Sequence, residues 1–216
     1  MVYYNKELDV PVVHTYAELG LPIIYAESYQ QRLERLLEFQ DKNHKTANVI
    51  AVRERPESNY VVKDQFVGAN QVVNDGEVAY AQKSAGESPT NDFWHATAPR
   101  WEVRTGTALT PADTDTWTQF TNPVAGSLKA RTAGYPKTND TGDADNTGDS
   151  TQAVSWAVNW ATTDFNTTNI SGVIYTSVTS PTTGSPLLFH AVYSPAFDKA
   201  STDTLKTFVN HTFESA

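Results

Sequence analysis

The alternation of apolar and polar positions is clearest late in the chain. Val154, Trp156, Val158 and Trp160 occupy every second position, with Ser155, Ala157 and Asn159 between them. A period of two is that of a half-buried strand, and two indoles on one face place this strand at the centre of a core. Burying a large apolar side chain is worth roughly 1.5–3 kcal/mol, so later strands are expected to add to it. Three follow, over residues 172–178, 187–193 and 204–213. Turn chemistry separates them: Asn166 to Asn169, then Pro181, Gly184 and Pro186, then Ser194 and Pro195 with residues 198–203. The pattern predicts a mainly β chain whose residues 101–216 form an antiparallel β-sandwich.

The first half is patterned differently. Residues 1–24 carry Pro11, Gly20 and Pro22 among β-branched and aromatic residues without a steady period, which reads as an extended arm. Such a segment cannot bury itself. Val12, Val13, Leu21, Ile23 and Ile24 are therefore expected to be covered, either by the body of the same chain or by another subunit. Residues 26–42 have the spacing of an amphipathic helix, with Tyr29, Leu33, Leu36 and Leu37 on one face and Glu38 and Lys42 four residues apart. Its stripe packs on the chain's own β-domain or serves in oligomer contacts; it is too short for the three to four heptads of a coiled coil. Arm and helix together make an N-terminal unit over residues 1–45.

Residues 46–100 read as a β-rich connecting region. Short apolar runs at 49–52, 60–62 and 66–67 suggest edge strands or strands paired with a neighbour, and Asn74-Asp75-Gly76 between residues 71–73 and 78–81 is a hairpin cue. Residues 82–92 form a polar loop, after which Phe93, Trp94 and Trp101 mark a return to packed structure. Trp101 to Trp117 reads as a strand, a loop and an inward aromatic. The Gly-, Asp-, Asn- and Thr-rich stretch 132–151 is a loop of about twenty residues, long for a compact domain and so either functional or mobile.

Composition narrows the chemistry. With no Cys, disulfides and thiolate metal sites are excluded. A formal charge of −9 argues against a nucleic-acid surface, which needs clustered Lys and Arg. No apolar run reaches about 18 residues, so no transmembrane helix is expected. The start of the chain lacks the basic and apolar regions of a signal peptide, so use without export is expected. The sequons at Asn139, Asn166, Asn169 and Asn210 then read as chance products of a Thr-rich sequence.

The five histidines, His14, His44, His95, His190 and His211, lie in separate segments without the short spacing of a helical metal site. His190 and His211 fall inside strands and could be cross-strand neighbours, for which a hydrogen-bonded structural pair is a sufficient explanation. No nucleophile elbow, phosphate loop or dinucleotide fingerprint is present, so no catalytic residue and no cofactor are assigned. Asp143, Asp145 and Asp149, with Thr147 and Gly148, resemble the first half of a calcium loop. The twelfth position would be Val154, however, and no entering helix is visible, so a plain solvated loop is the expectation. Of the five tryptophans, Trp94, beside Asn91, Asp92 and His95, is the one placed to contact a ligand, with the others assigned to the core.

Two stretches carry a resemblance. Arg104-Thr105-Gly106-Thr107 with Thr110-Pro111-Ala112-Asp113-Thr114-Asp115-Thr116-Trp117 resembles the opening of a β-module common in structural proteins of tailed bacteriophages. Residues 187–199, followed by Asp203-Thr204-Leu205 and 209–213, resemble its closing strands. The middle strand, residues 170–175, departs from the pattern, and the first hundred residues lie outside it. The resemblance implies a non-enzymatic virion protein of tail, neck, fibre or capsid-decoration type, assembled in the host cytoplasm. Its partners would be other copies of itself and other virion proteins, through the apolar residues of the arm and helix. The alternative is a carbohydrate-binding sandwich for a host-surface glycan, with Trp94 and residues 136–150 near the ligand.

Overall fold

Strands dominate because β-branched and aromatic residues do, and they join in one continuous sheet. The computed structural model describes residues 2–5, 10–13, 23–25, 47–57, 60–107, 109–117, 121–140, 142–148 and 150–212, with side chains from residue 48 onward. Among the described residues eleven strands form: β1 (Val2–Asn5), β2 (Val10–Val13), β3 (Ile23–Tyr25), β4 (Ala47–Pro56), β5 (Val61–Val72), β6 (Arg100–Thr105), β7 (Lys137–Thr138), β8 (Ala153–Trp160), β9 (Thr167–Thr176), β10 (Leu187–Lys199) and β11 (Thr204–Thr212). One helix, α1 (Asn74–Ser84), follows β5. The main path of the sheet runs β6-β9-β10-β5-β4-β11-β8-β7, antiparallel throughout.

The sheet curls because β5 changes partners along its length. Val61 to Ala69 pair with β4, whereas Gly68 to Val72 pair with β10. Gly68 permits the crossing: a Cβ there would lie 1.8 Å from the carbonyl oxygen of Val192. Segment 123–132 then bridges the two ends of the curl. Val124 N–H donates to Val103 O at 2.8 Å and Trp101 N–H to Lys129 O at 2.7 Å on the β6 side, and Thr132 N–H donates to Ala157 O at 2.8 Å on the β8 side. The mainly β, antiparallel fold is as expected. Where a sandwich has two sheets, here a single curled sheet encloses the core.

Inside the curl lie Trp101, Trp156, Trp160, Tyr175 and Phe189, all with no exposed surface. Tyr175 and Phe189 stack at 5.9 Å between centroids, and the other rings pack edge-on or tilted, with centroids 5.2 Å apart for Trp156 and Tyr175 and 6.4 Å for Trp101 and Trp160. The outer face is covered too. Ile50, Val52, Val67, Ala157 and Phe208 pack beneath Tyr135, and Trp117 packs on Val73, Ile174 and Leu187.

Several expectations are corrected. Asn74-Asp75-Gly76 opens α1 and makes no hairpin, so residues 78–81 are helical. Asp75 and Glu77 in its first turn and Lys83 in its last complement the helix dipole. Gly76 is required by packing: a Cβ there would lie 2.2 Å from Leu188 O on β10. β4 and β5, read as edge strands or strands paired with a neighbour, are paired and central, flanked by β11 and β10. β8, expected to be half-buried, also hides Ser155 and Ala157 on its outer face. Residues 167–169 and 194–199 continue β9 and β10 where turns were expected, with register shifts between Val192 and Phe197 absorbing Pro195. The helix expected over residues 26–42 lies outside the described residues.

The arm's described backbone is extended and lies against this chain's own sheet. β1 pairs with β2 and β2 with β3, and Ile23, Ile24 and Tyr25 run parallel to Val61, Val62 and Lys63 of β5.

Candidate functional site

The long loop after β7 has few apolar residues to bury, so polar anchors hold it to the outer face of β4, β5, β8 and β11. Asn210 of β11, with no exposed surface, is the hub. Its amide nitrogen donates to Asn48 Oδ1 at 3.0 Å and to Asn146 Oδ1 at 2.8 Å. Its oxygen accepts from Ser155 Oγ at 2.6 Å and from Asn146 Nδ2 at 3.1 Å. Tyr135 adds a hydroxyl hydrogen bond to Asp140 Oδ2 at 2.5 Å. Every polar atom of Asn210 is thus paired, which makes a buried amide tolerable.

Beside this network lies an ion cluster. Lys63 Nζ sits 2.8 Å from Asp145 Oδ1 and 2.8 Å from Glu54 Oε1, and Lys206 Nζ lies 3.2 Å from both Asp145 Oδ2 and Asp143 Oδ2. Burial opposes charge on Lys63, but Asp145 and Glu54 outweigh it and hold its pKa above the ordinary lysine range. Burial likewise pushes the Asp145 carboxyl up, and Lys63 and Lys206 bring it below the usual carboxylate value. The calcium candidates Asp143 and Asp145 therefore face ammonium groups. Among the described residues no group of three or more His, Asp or Glu is arranged to hold a metal ion, and Asp149 lies outside them.

A second polar cluster lies under residues 109–117. His190 Nδ1 is 2.7 Å from Asp115 Oδ2, and Trp117 Nε1 donates to Glu102 Oε2 at 2.7 Å. Burial lowers the His190 pKa against the pull of Asp115, and burial raises that of Glu102 against the indole hydrogen bond. Arg104, 1% exposed, donates to the carbonyls of Thr107 and Thr121 and to Ser171 Oγ, so it pins the chain on both sides of this loop. Sequence reading missed this cluster because its members come from five segments. Its only local sign is the alternation of Glu102 and Arg104 within a strand.

The expected neighbourhood of His190 and His211 is corrected: β10 and β11 do not pair, and each histidine has its own partner. His211 Nδ1 lies 2.7 Å from the Tyr80 hydroxyl, which accepts a 2.7 Å hydrogen bond from Trp156 Nε1. Burial alone drives the His211 pKa down to about 3.

Trp94 is half-buried. Its ring meets Tyr80 and Trp156 at 5.2 and 5.4 Å between centroids, with the Lys83 ammonium 5.8 Å from its own. Arg131 ties it to the long loop by donating to Trp94 O at 2.9 Å and to Tyr135 O at 2.5 Å. Trp94 and the start of that loop are therefore neighbours. Of the arm residues, Val12 pairs with Ile24 and Val13 with Ile23 along the backbone, while Leu21, Tyr29, Leu33, Leu36 and Leu37 lie outside the described residues. Comparison of the chain with protein-family models, curated proteins and solved structures finds no match.

The arrangement's chemistry is one of fixing shape. Buried ion pairs and amide networks clamp loops onto the curled sheet, and β3 lies parallel on β5.

Proposed function

We propose that this chain is a non-enzymatic structural component of a tailed-phage virion, of tail, neck, fibre or capsid-decorating type, assembled in the host cytoplasm. It acts by self-association and by docking to other virion proteins. The observation that carries the reading is the parallel seat of β3 on β5, which couples an N-terminal arm to the sheet through main-chain hydrogen bonds. The same seat can be filled by the arm of another copy. The two stretches that resemble a phage β-module point the same way, and the clamped loops would offer docking partners a preformed surface.

The test is the mass in solution, by light scattering after gel filtration, of the full chain beside a chain beginning at Thr46. A defined oligomer that becomes a folded monomer on truncation supports the reading. Two monomers overturn its self-association part.

A second reading, binding of a host-surface glycan, rests on the half-buried indole of Trp94 beside the exposed Asp92 and His95.

A further inference from the structure

In a chain of net charge −9 a cation readily finds a carboxylate. Among the described residues Arg53, Arg55, Lys63, Lys129, Lys137 and Lys206 do so. Lys83, Arg100, Arg104, Arg131 and Lys199 make no ion pair there. Arg104 and Lys199 are 1% exposed and donate to backbone carbonyls of the interior. The other three reach the surface, Lys83 exposed and the two arginines half-buried, and all three meet the segment that carries Trp94.

Their contacts define the neighbourhood. Lys83 Nζ lies 5.8 Å from the centroid of the half-buried indole. Arg131 donates to Trp94 O at 2.9 Å and to His95 O at 2.5 Å, and Arg100 donates through Nη1 alone to the carbonyls of Thr97, Ala98 and Pro99. Carbonyls orient a guanidinium without cancelling its charge. Both arginines also act on one phenol: burial pushes the Tyr175 pKa up to about 12, and Arg131 and Arg100 oppose that rise. The Tyr175 hydroxyl donates to Phe93 O, so the two charges are gathered at the root of Trp94. Asp92, the one acid of segment 91–99, spends Oδ1 on Trp94 N–H at 3.0 Å. Three cations against one carboxylate leave the surroundings of the indole positive.

The chemistry of a ligand follows. A partly exposed indole offers a flat apolar surface to the C–H face of a sugar ring. A guanidinium with N–H groups to spare grips an oxyanion by two parallel hydrogen bonds, and an ammonium adds a point charge. Arg100 has Nε and Nη2 to spare, since its protein contacts all run through Nη1. Neutral sugars would leave these charges idle. Building on the glycan reading of Trp94, we infer that the site takes an acidic saccharide, its ring on the indole and its carboxylate or sulfate held by Arg100 and Lys83. Arg131 is a positioning residue that holds segment 94–95 to Tyr135.

The test is a tryptophan-fluorescence titration of the full chain at low salt. The probes are a uronic-acid oligosaccharide, its carboxyl-reduced neutral counterpart, a sulfated oligosaccharide and polyglutamate. An acidic form should bind at least about tenfold more tightly than the reduced one, as loss of a charge-assisted contact implies, and should weaken as salt is added. In Lys83→Gln with Arg100→Gln that preference should fall to about threefold or less. The better of the uronate and the sulfated probe identifies the anion. Equal binding of acidic and reduced forms overturns the inference and leaves the glycan reading standing, whereas no binding of any saccharide removes both. Polyglutamate binding as tightly as the acidic saccharide assigns the cations to an acidic partner chain and also overturns it, as does a preference unchanged in the double variant. If circular dichroism shows that variant unfolded, the wild-type comparison of the uronate with its reduced form decides.

Discussion

The two faces of β8 and β11 are both buried, yet by opposite means. Inward, Trp156, Trp160, Leu205 and Val209 meet other rings and aliphatic groups. Outward, Ser155 and Asn210 meet the side chains of a loop, and Ala157 and Phe208 meet Tyr135. The inner face is held by removal of apolar area from water, which tolerates approximate fits. The outer face is held by paired polar atoms, where one missing partner leaves a buried group exposed to its full desolvation cost. The contrast teaches that a strand's period reports which residues are apolar, while burial depends also on what a distant loop brings.

The largest expected effect is on the inner face. Trp156→Ala removes a fully buried indole and its hydrogen bond to Tyr80, and should cost about 3–5 kcal/mol in chemical denaturation. On the outer face, Asp145→Ala leaves Lys63 and Lys206 without their shared counter-ion and should cost about 3 kcal/mol. The sharper experiment is the pair Lys63→Met with Asp145→Leu. Breaking a buried ion pair is costly while replacing it by apolar groups is often neutral, so the double variant should recover most of the single loss. If it does not, the layer depends on more than charge pairing, and the contrast between the faces has to be redrawn.

His211 allows a test by pH. Its folded-state pKa of about 3 lies below the ordinary 6.5, so below pH 6.5 the unfolded chain binds a proton that the folded chain does not. The stability this group contributes is complete above about pH 6.5 and falls as the pH drops toward about 3, by at most about 1.4 kcal/mol per unit. Burial is the cause; the groups around the ring are the neutral Tyr80 hydroxyl, Phe189 and the Tyr80-bound indole of Trp156. His211→Gln should flatten the stability profile between pH 6.5 and 4. An unchanged slope would assign the acid loss elsewhere, with His190, whose pKa burial also lowers from the ordinary histidine value, the next group to examine.

A smaller effect is expected at α1, where the sequence also misled. Gly76→Ala raises helix propensity by up to about 1 kcal/mol in an open helix. Here its Cβ would strike Leu188 O, so a net loss of about 1–3 kcal/mol is expected in thermal unfolding, whereas Gly86→Ala at a positive φ but in open space should cost less.

That glycine shows why some of the fold was legible and some was not. β8, β9, β10 and β11 were announced by alternating Trp, Val, Ile and Phe: strands were expected over 153–160, 172–178, 187–193 and 204–213, and of these 153–160, 172–176, 187–193 and 204–212 are strands. Helix α1 was not, because Asn-Asp-Gly is also turn chemistry and because its apolar residues form no stripe: Val78 is 55% exposed while Gly76 and Ala79 are buried. The central place of β4 and β5 was hidden for a related reason. Their charged residues Lys63, Asp64 and Glu54 interrupt the apolar runs, yet Asp64 pairs with Arg53 and Arg55 and Lys63 with Asp145. A sequence shows the charges and not their partners 82 residues away. The sequon at Asn210 is the same lesson in one residue, a polar motif that turns out to be the hub of a buried network.

The smallest stability effect belongs to Trp94, and it divides the two functional readings. Its indole touches the core at Tyr80 and Trp156 but keeps part of its surface in water. Trp94→Ala should therefore cost about 1–2 kcal/mol, well below the loss at Trp156, because less apolar area returns to solvent. Tryptophan fluorescence titrated with a broad set of glycans then asks what the exposed part is for. A saccharide-dependent change that vanishes in Trp94→Ala, with the fold intact by circular dichroism, would establish a sugar platform and make the arm secondary. No change across the set leaves Trp94 as a lid on the aromatic core, fixed by Arg131 to the loop whose polar anchors shape the outer face.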